Sequence, residues 1–458
     1  MRYLRSVAGA AVALVLACGD STDPQQFAIL TAVSGDGQET ASLDTLSEEL
    51  VVRAVDGNGD PVAGLELAWS TDDHEGAALI PVSATTDAQG EARARWVLGI
   101  GSGAQTVSVR VPGSTFSVGF TAEALPGLQL ATMMKTSEAG RVCGLDADGA
   151  AWCWDGPAAG NVESPVRVGA DLTFTSLSGM YGTFCGIGTD LATYCWGQTV
   201  RLGVQNSPEP TKLPFPLQFA SISLEWNSNG YQACGVTLDA DAYCWGRGVM
   251  GDGDPNVRDA NEPRLVAGGL KWLSVVRGFT RTCGVTELYE VRCWGEDGAE
   301  DNGSNLEWYG IDQPGVLGAP ANVPLVADAT QIALGHDNAC AVTDAGALCW
   351  GHPPLGDASA LAAPGPGHPG NGYLAVSGNR DSYFALSADG HIDMWGAESP
   401  TAIRLAGDGP WRAPTSAFNT GLCAILESDG AVYCWPELTD APGATSNLPR
   451  PVPAPAAP

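Results

Sequence analysis

Apolar and polar positions alternate along most of this chain, and the alternation divides it into two regions. Over residues 27–124 apolar side chains recur at every second position: Leu50, Val52 and Ala54, then Leu65, Leu67 and Trp69, then Ala94, Trp96 and Leu98. Val107 and Val109 follow, and after them Phe116, Val118 and Phe120. A period of two marks a strand with one buried face. Turn-forming clusters at residues 56–61 (DGNGDP) and 86–90 (TDAQG) separate the runs. About seven short strands in about 100 residues predict an antiparallel sandwich.

From residue 128 to 453 the alternation is packaged in seven copies of one hairpin unit. Each copy ends on a tryptophan, at 154, 196, 245, 294, 350, 395 and 435, so the period runs from 40 to 56 residues. A short apolar stretch such as Phe174–Leu177 precedes each hairpin. A fourth segment follows it, often introduced by proline, as at 165–168, 210–213, 263–266 and 324–326. Four short strands per unit cannot bury their own apolar faces and must stack on neighbours. The pattern predicts a seven-bladed β-propeller. Asp148-Gly149, Asp389-Gly390 and Asp429-Gly430 supply hairpin turns that take positive φ. The predicted fold is therefore all-β: an immunoglobulin-like β-sandwich, then the propeller.

Six of the seven hairpins carry a cysteine at each end. In a hairpin of this length the two cysteines lie opposite each other, within reach of a cross-strand disulfide. The expected pairs are Cys143–Cys153, Cys185–Cys195, Cys234–Cys244, Cys283–Cys293, Cys340–Cys349 and Cys423–Cys434. Closing each loop stabilises by roughly 2–3 kcal/mol in the loop-entropy model. Reduced, buried cysteine is the alternative. The spacing is not the short Cys-x-x-Cys of zinc sites. The remaining copy has Phe384 and Met394 at the cysteine positions.

Residues 341–346 (AVTDAG) with Cys349-Trp350-Gly351, and 385–390 (ALSADG) with Met394-Trp395-Gly396, resemble the repeat of the regulator of chromosome condensation family. That resemblance implies a seven-bladed propeller. Asp155 and Pro436 depart from it where the repeat has glycine after tryptophan. Residues 51–64 and 86–90 resemble bacterial immunoglobulin-like domains of the invasin and intimin type, which implies a spacer or adhesive unit.

The N-terminus reads as an export signal. Arg2 and Arg5 precede an apolar run from Val7 to Ala17, too short to span a bilayer. The run ends at Val15-Leu16-Ala17-Cys18, which resembles a bacterial lipoprotein signal with Cys18 as the lipidated residue. Twelve of the 13 cysteines fall into hairpin pairs, leaving Cys18 for lipid. An ordinary secretory signal is the alternative. Either way the compartment is oxidising. The expectation is a membrane-anchored protein of the cell envelope, facing the periplasm or the exterior. Residues 18–26 form a polar tether, and residues 454–458 a Pro/Ala-rich tail.

Composition then narrows the function. Without residues 1–17 the chain has 20 basic and 52 acidic side chains, net −32. Such a surface repels phosphate backbones, so nucleic acid is not an expected partner. No nucleophile elbow, phosphate-binding loop or zinc-protease motif is present in the sequence, and the five histidines are scattered. No catalytic residue and no cofactor is expected. Asp252, Asp254, Asn256 and Asp259 offer oxygen ligands that calcium accepts; a solvated acidic turn is the alternative. Trp308 and Tyr309 sit in an acidic stretch as a candidate anchor for a partner. Tyr181, Tyr231, Phe279, His336, Tyr383 and Phe418 precede the hairpins and are candidates for a shallow binding face, with packing between blades as the alternative. The expected function is a monomeric propeller that binds a protein or glycan. The rivals are an inhibitor of an exported enzyme, as in a β-lactamase-inhibitory propeller, and an exported lyase or hydrolase working at the propeller axis.

Overall fold

The computed structural model describes residues 27–455 apart from 82, 135–140, 156–163, 228–229, 297–315, 325, 336–337, 345, 352–364, 369–371, 379–381, 397–401, 408, 418–420 and 436–447. Cys18, Trp308, Tyr309, His336 and Phe418 therefore lie outside the described residues, as do the signal and tether and residues 456–458 of the tail.

Two four-stranded sheets form the N-terminal sandwich. One carries, in spatial order, Phe27–Ser34, Leu50–Asp56, Glu91–Val97 and Ala78–Pro81; the other Gln38–Ala41, Ser117–Leu125, Gly103–Arg110 and Ala68–Thr71. The alternating residues face inward: Leu50, Val52, Trp96, Val107, Val109 and Phe120 form one buried core. Leu65, Leu67 and Trp69 pack on the same core, although their regular strand begins only at Ala68.

Seven further four-stranded sheets follow, each a simple meander from an inner to an outer strand. The third blade, for example, runs Phe219–Asn227, Gly230–Thr237, Ala242–Arg247, Asp259–Leu265. In the fourth blade the outer strand is Leu317–Asn322, ahead of the proline-led segment the sequence pointed to. The ring closes where Leu128, Leu130 and Val142 of the first blade share a core with Ile425, Val432 and Val452 of the last.

The six expected disulfides are all present, each joining residues directly opposite in the hairpin with Cα atoms 4.0–4.1 Å apart. Each pair of sulfurs is buried against the next blade. Cys185 and Cys195 pack with Trp245, Cys234 and Cys244 with Trp294, and Cys423 and Cys434 with Trp154. The other three pairs repeat the arrangement with Trp196, Trp350 and Trp395. Adjacent strand residues point to opposite faces. A Cys-Trp dipeptide thus places its sulfur toward the following blade and its indole toward the preceding one. In the sixth blade Phe384 and Met394 are paired in register and pack with Trp435, filling the same layer without a covalent bond.

A second device links the blades. The turn between the second and third strands holds a residue at positive φ: Gly149 at 80°, Ala240 at 63°, Tyr289 at 60°, Gly390 at 82° and Gly430 at 72°. That conformation turns its carbonyl toward the next blade, where a backbone N–H donates to it. The donors are Phe174 to Gly149, Trp272 to Ala240, Ala329 to Tyr289, Trp411 to Gly390 and Leu130 to Gly430, at 2.7–3.0 Å.

The sandwich docks on the last two blades. Ile100 enters the core formed by Leu426, Trp411 and Tyr433. The Gly101 N–H donates to Tyr433 Oη at 2.9 Å, and the Ser102 N–H donates to Asp429 Oδ2 at 2.9 Å. Tyr433 Oη also bonds Ser42 Oγ at 3.2 Å, and burial raises the phenol's pKa. Asp429 belongs to the turn between the second and third strands of the last blade. The sandwich therefore sits on the face that carries those turns, leaving the opposite face of the ring clear of it.

The latch gives an ordered expectation. A Cβ on Gly149 would stand 2.8 Å from the Phe174 carbonyl oxygen, whereas one on Gly430 meets nothing within 4 Å. Gly149→Ala is expected to destabilise by about 2–4 kcal/mol, and Gly430→Ala by only about 1 kcal/mol from its φ. Urea denaturation of the oxidised proteins measures both.

Candidate functional site

The inner strands of the seven blades line an axial channel. One chamber of about 200 Å³ is bounded by Ser223, Glu225, Arg277, Gln331, Ser377 and Thr415 together with Leu224, Val276 and Ile332. A second, of about 230 Å³, lies toward Met134, Leu145 and Ser178 and shares Thr132, Met133, Ser223 and Val276 with the first. Inner-strand edges leave backbone N–H groups that need acceptors. Side chains from the preceding blade provide several: Leu224 N donates to Ser178 Oγ (2.8 Å), Arg277 N to Ser223 Oγ (2.9 Å) and Ser416 N to Ser377 Oγ (3.0 Å). Gln331 exchanges two bonds with Val376, each 3.1 Å. At ring closure the Arg412 guanidinium donates to the Leu130 and Ala131 carbonyls. The hydroxyls of Ser178, Ser223 and Ser377 are thus structural acceptors, and Glu225 is the carboxylate among the residues lining the channel.

Above that channel, on the face away from the sandwich, three aromatic rings form a row across blades two to four. Tyr181 and Trp226 meet edge to face at 5.3 Å between centroids, and Trp226 and Phe279 at 6.4 Å. Tyr181 occupies the tight turn after the second blade's inner strand. It is 42% exposed and sits at φ 44°, next to Gly182 at 77°. Trp226 and Phe279 are half-buried. The row rests on a polar layer. Tyr231 Oη donates to the Tyr181 carbonyl at 2.9 Å, Arg277 Nη2 donates to the Phe279 carbonyl at 3.3 Å, and Gln232 Nε2 donates to the Val249 carbonyl at 2.9 Å. Glu225, Arg277, Arg281 and Gln232 in this layer are all at most 5% exposed.

Two of the six candidate residues do not belong to the surface. Tyr231, 5% exposed, packs against Cys185 and Cys195 of the preceding blade. Tyr383 is fully buried, with its hydroxyl on Asn338 Oδ1 at 2.5 Å and the Gly335 N–H. Their place in the strand explains the correction. Tyr231 lies three residues before Cys234 and Tyr383 one before Phe384, so both side chains point opposite to the cysteine position, into the preceding blade. Tyr181 and Phe279 lie four residues before their cysteines, outside the strand pairing, in the turn. Trp226 was not among the candidates. It stands opposite Tyr231 across the hairpin.

The calcium candidates are also corrected. Asp252 is paired with Arg264. Asp254 Oδ1 accepts from the Asn256 amide groups, and Asp259 is bound to Arg201 at 2.6 Å. Their oxygens serve separate partners, and among the described residues no group of three or more His, Cys, Asp or Glu is placed to hold a metal ion.

No family model matches the chain, and no curated protein matches it. Solved structures do. Human WBSCR16 superposes with a TM-score of 0.51 at 16% identity, over 65% of this chain and 87% of that one. The structure of Kap60 bound to yeast RCC1 (Prp20) gives 0.51 at 13% identity, over 75% and 90%. At these identities the likeness is one of fold: the chain is similar in shape to propellers of the RCC1 type.

The burial pattern separates core from surface by stability. Tyr231→Ala is expected to destabilise by about 3–5 kcal/mol, whereas Tyr181→Ala stays within about 0.5 kcal/mol of wild type. Thermal and urea unfolding under oxidising conditions compare the two.

Proposed function

We propose that this chain is an exported, non-enzymatic lipoprotein, held to the membrane through Cys18, whose propeller binds a protein partner. The binding face is the one that carries Tyr181, Trp226 and Phe279. The sandwich acts as an immunoglobulin-like spacer of the bacterial type.

The observation that carries this reading is the aromatic row, with its most exposed ring held at an unfavourable positive φ. Strain of that kind persists where the surrounding structure imposes it, and it clusters at functional positions. A few aromatic anchors commonly supply most of an interface's binding energy. The angles between neighbouring rings, 73° and 58°, favour a protein over a glycan. Rings so inclined form a ridge, not a flat platform on which sugar rings stack. The docked sandwich lies on the other face, so the ridge points away from the anchored end of the molecule. Among the described residues no helix is long and apolar enough to cross a membrane; the proposed anchor is lipid on Cys18. An inhibitor of an exported enzyme would use the same ridge, and the identity of the partner distinguishes that case.

Replacing Tyr181, Trp226 and Phe279 together with alanine is expected to weaken partner binding by about 3–5 kcal/mol, roughly a hundred- to several-thousand-fold. The partner is first isolated from envelope extract on the wild-type propeller, and affinity is then measured by calorimetry with the disulfide map checked for each protein. Unchanged affinity in the folded triple variant contradicts the reading. Cys18→Ser is expected to abolish acylation and release the protein into the aqueous phase on detergent partitioning; retention in the detergent phase contradicts the anchor.

A further inference from the structure

The latch between blades requires positive φ at one turn position, and glycine meets that requirement without strain. Blades one, six and seven have glycine there, at 149, 390 and 430. Blades three and four do not: Ala240 and Tyr289 adopt φ of 63° and 60°, and Leu191 in the corresponding turn of blade two adopts 63°. An aliphatic or aromatic side chain is disfavoured in this conformation. The latch at Tyr289 uses the backbone carbonyl and asks nothing of the side chain. Ala240 is half-buried, but the other two side chains are exposed. Leu191 is 37% exposed and Tyr289 46%, and their turn neighbours Leu238 and Leu288 are 56% and 75% exposed.

These apolar tips are set among carboxylates: Asp190, Asp239, Asp241, Glu287 and Glu290 in the same three turns. Lys212, Lys271 and Arg292 pair with Asp190, Asp241 and Glu290; five carboxylates against three cations leave these turns a net charge of −2. The same face docks a folded domain at the last blade, where Asp429 of the equivalent turn accepts from Ser102 of the sandwich. A lone exposed leucine is unremarkable, but exposed apolar tips on three successive blades, two of them at strained positions, are not.

We infer that the turns of blades two to four form a second protein-docking surface, on the face opposite the aromatic ridge, for a partner with an apolar centre and a cationic rim. Charge complementarity selects that occupant. A second copy of this chain, at net charge −30, would be repelled, and so would an anionic membrane surface.

The test uses the full chain with a photo-cross-linking phenylalanine at position 288, and at position 148 in the glycine-type turn of the first blade as control. Irradiation in envelope extract should give one discrete protein adduct at 288 and none at 148. The adduct should fall about tenfold between roughly 0.05 and 0.5 M salt. Introducing Leu191→Gly with Tyr289→Gly should reduce it at least about fivefold, while the thermal midpoint stays equal to or above that of wild type. Sedimentation of the Cys18→Ser chain, which lacks the proposed acyl group, with vesicles of phosphatidylcholine alone or mixed with phosphatidylglycerol should leave the protein in the supernatant. The inference is overturned by no adduct at 288, by equal adducts at both positions, or by an adduct indifferent to salt. It is also overturned by an adduct undiminished in the glycine variants, or by binding to either vesicle. None of these readouts depends on Tyr181, Trp226 or Phe279, so the ridge and the turn surface fail separately.

Discussion

The propeller depends on one consequence of strand geometry: neighbouring residues on a strand face opposite ways. A Cys-Trp dipeptide on the third strand of a blade is for that reason a two-sided plug. Its sulfur, bonded to the opposing cysteine, fills the gap to the following blade, and its indole fills the gap to the preceding one. Carried around the ring, the arrangement makes each interface from a staple and a tryptophan of different blades, as with Cys185–Cys195 under Trp245. No blade has a complete core alone, and none can be lost without opening two interfaces. The sixth blade shows which part of the staple the ring requires. Phe384 and Met394 keep the packing under Trp435 and dispense with the bond, so space-filling at that level is the constraint and covalent closure an addition to it.

With the interfaces fixed by side chains inside, the two rims of the ring are available for other uses, and they differ. The turns between second and third strands latch onto the next blade through backbone carbonyls. That leaves their side chains free to dock the sandwich at the last blade and to present apolar tips at blades two to four. The turns after the inner strands carry the aromatic ridge, supported from below by Tyr231, Gln232 and Arg277 through hydrogen bonds to backbone carbonyls. The polar layer is buried, so it fixes the turn that displays Phe279 without offering charge to solvent. The contacts of the sandwich at Ile100 and Tyr433 place it on the face opposite the ridge.

Much of this was legible in the sequence because it repeats. Seven tryptophans at similar spacing give the blades, opposed cysteines give the staples, and Asp-Gly pairs give three of the latch turns. What repeats at the level of the turn does not repeat residue by residue. Tyr181 and Tyr231 look equivalent when read as the aromatic before a hairpin, yet a shift of one position sends Tyr231 into the preceding interface. Counting from the cysteine would have separated them, since the parity of that distance sets the face. The docking of Ile100 against the last blade had no such signal. It joins residues more than 300 positions apart, and nothing in either segment marks the partner. The apolar turn tips were likewise hidden, because the cost of Tyr289 is apparent only once its φ is known.

The direct measurement of the account is a double-mutant cycle between one staple and the tryptophan of the next blade. Cys234→Ala with Cys244→Ala forms one arm and Trp294→Ala the other, with unfolding free energies from urea titration. If staple and indole share one interface core, the losses couple by about 1–3 kcal/mol. If the combined variant loses the simple sum within about 0.5 kcal/mol, the staple acts only within its own hairpin and the two-sided plug is wrong.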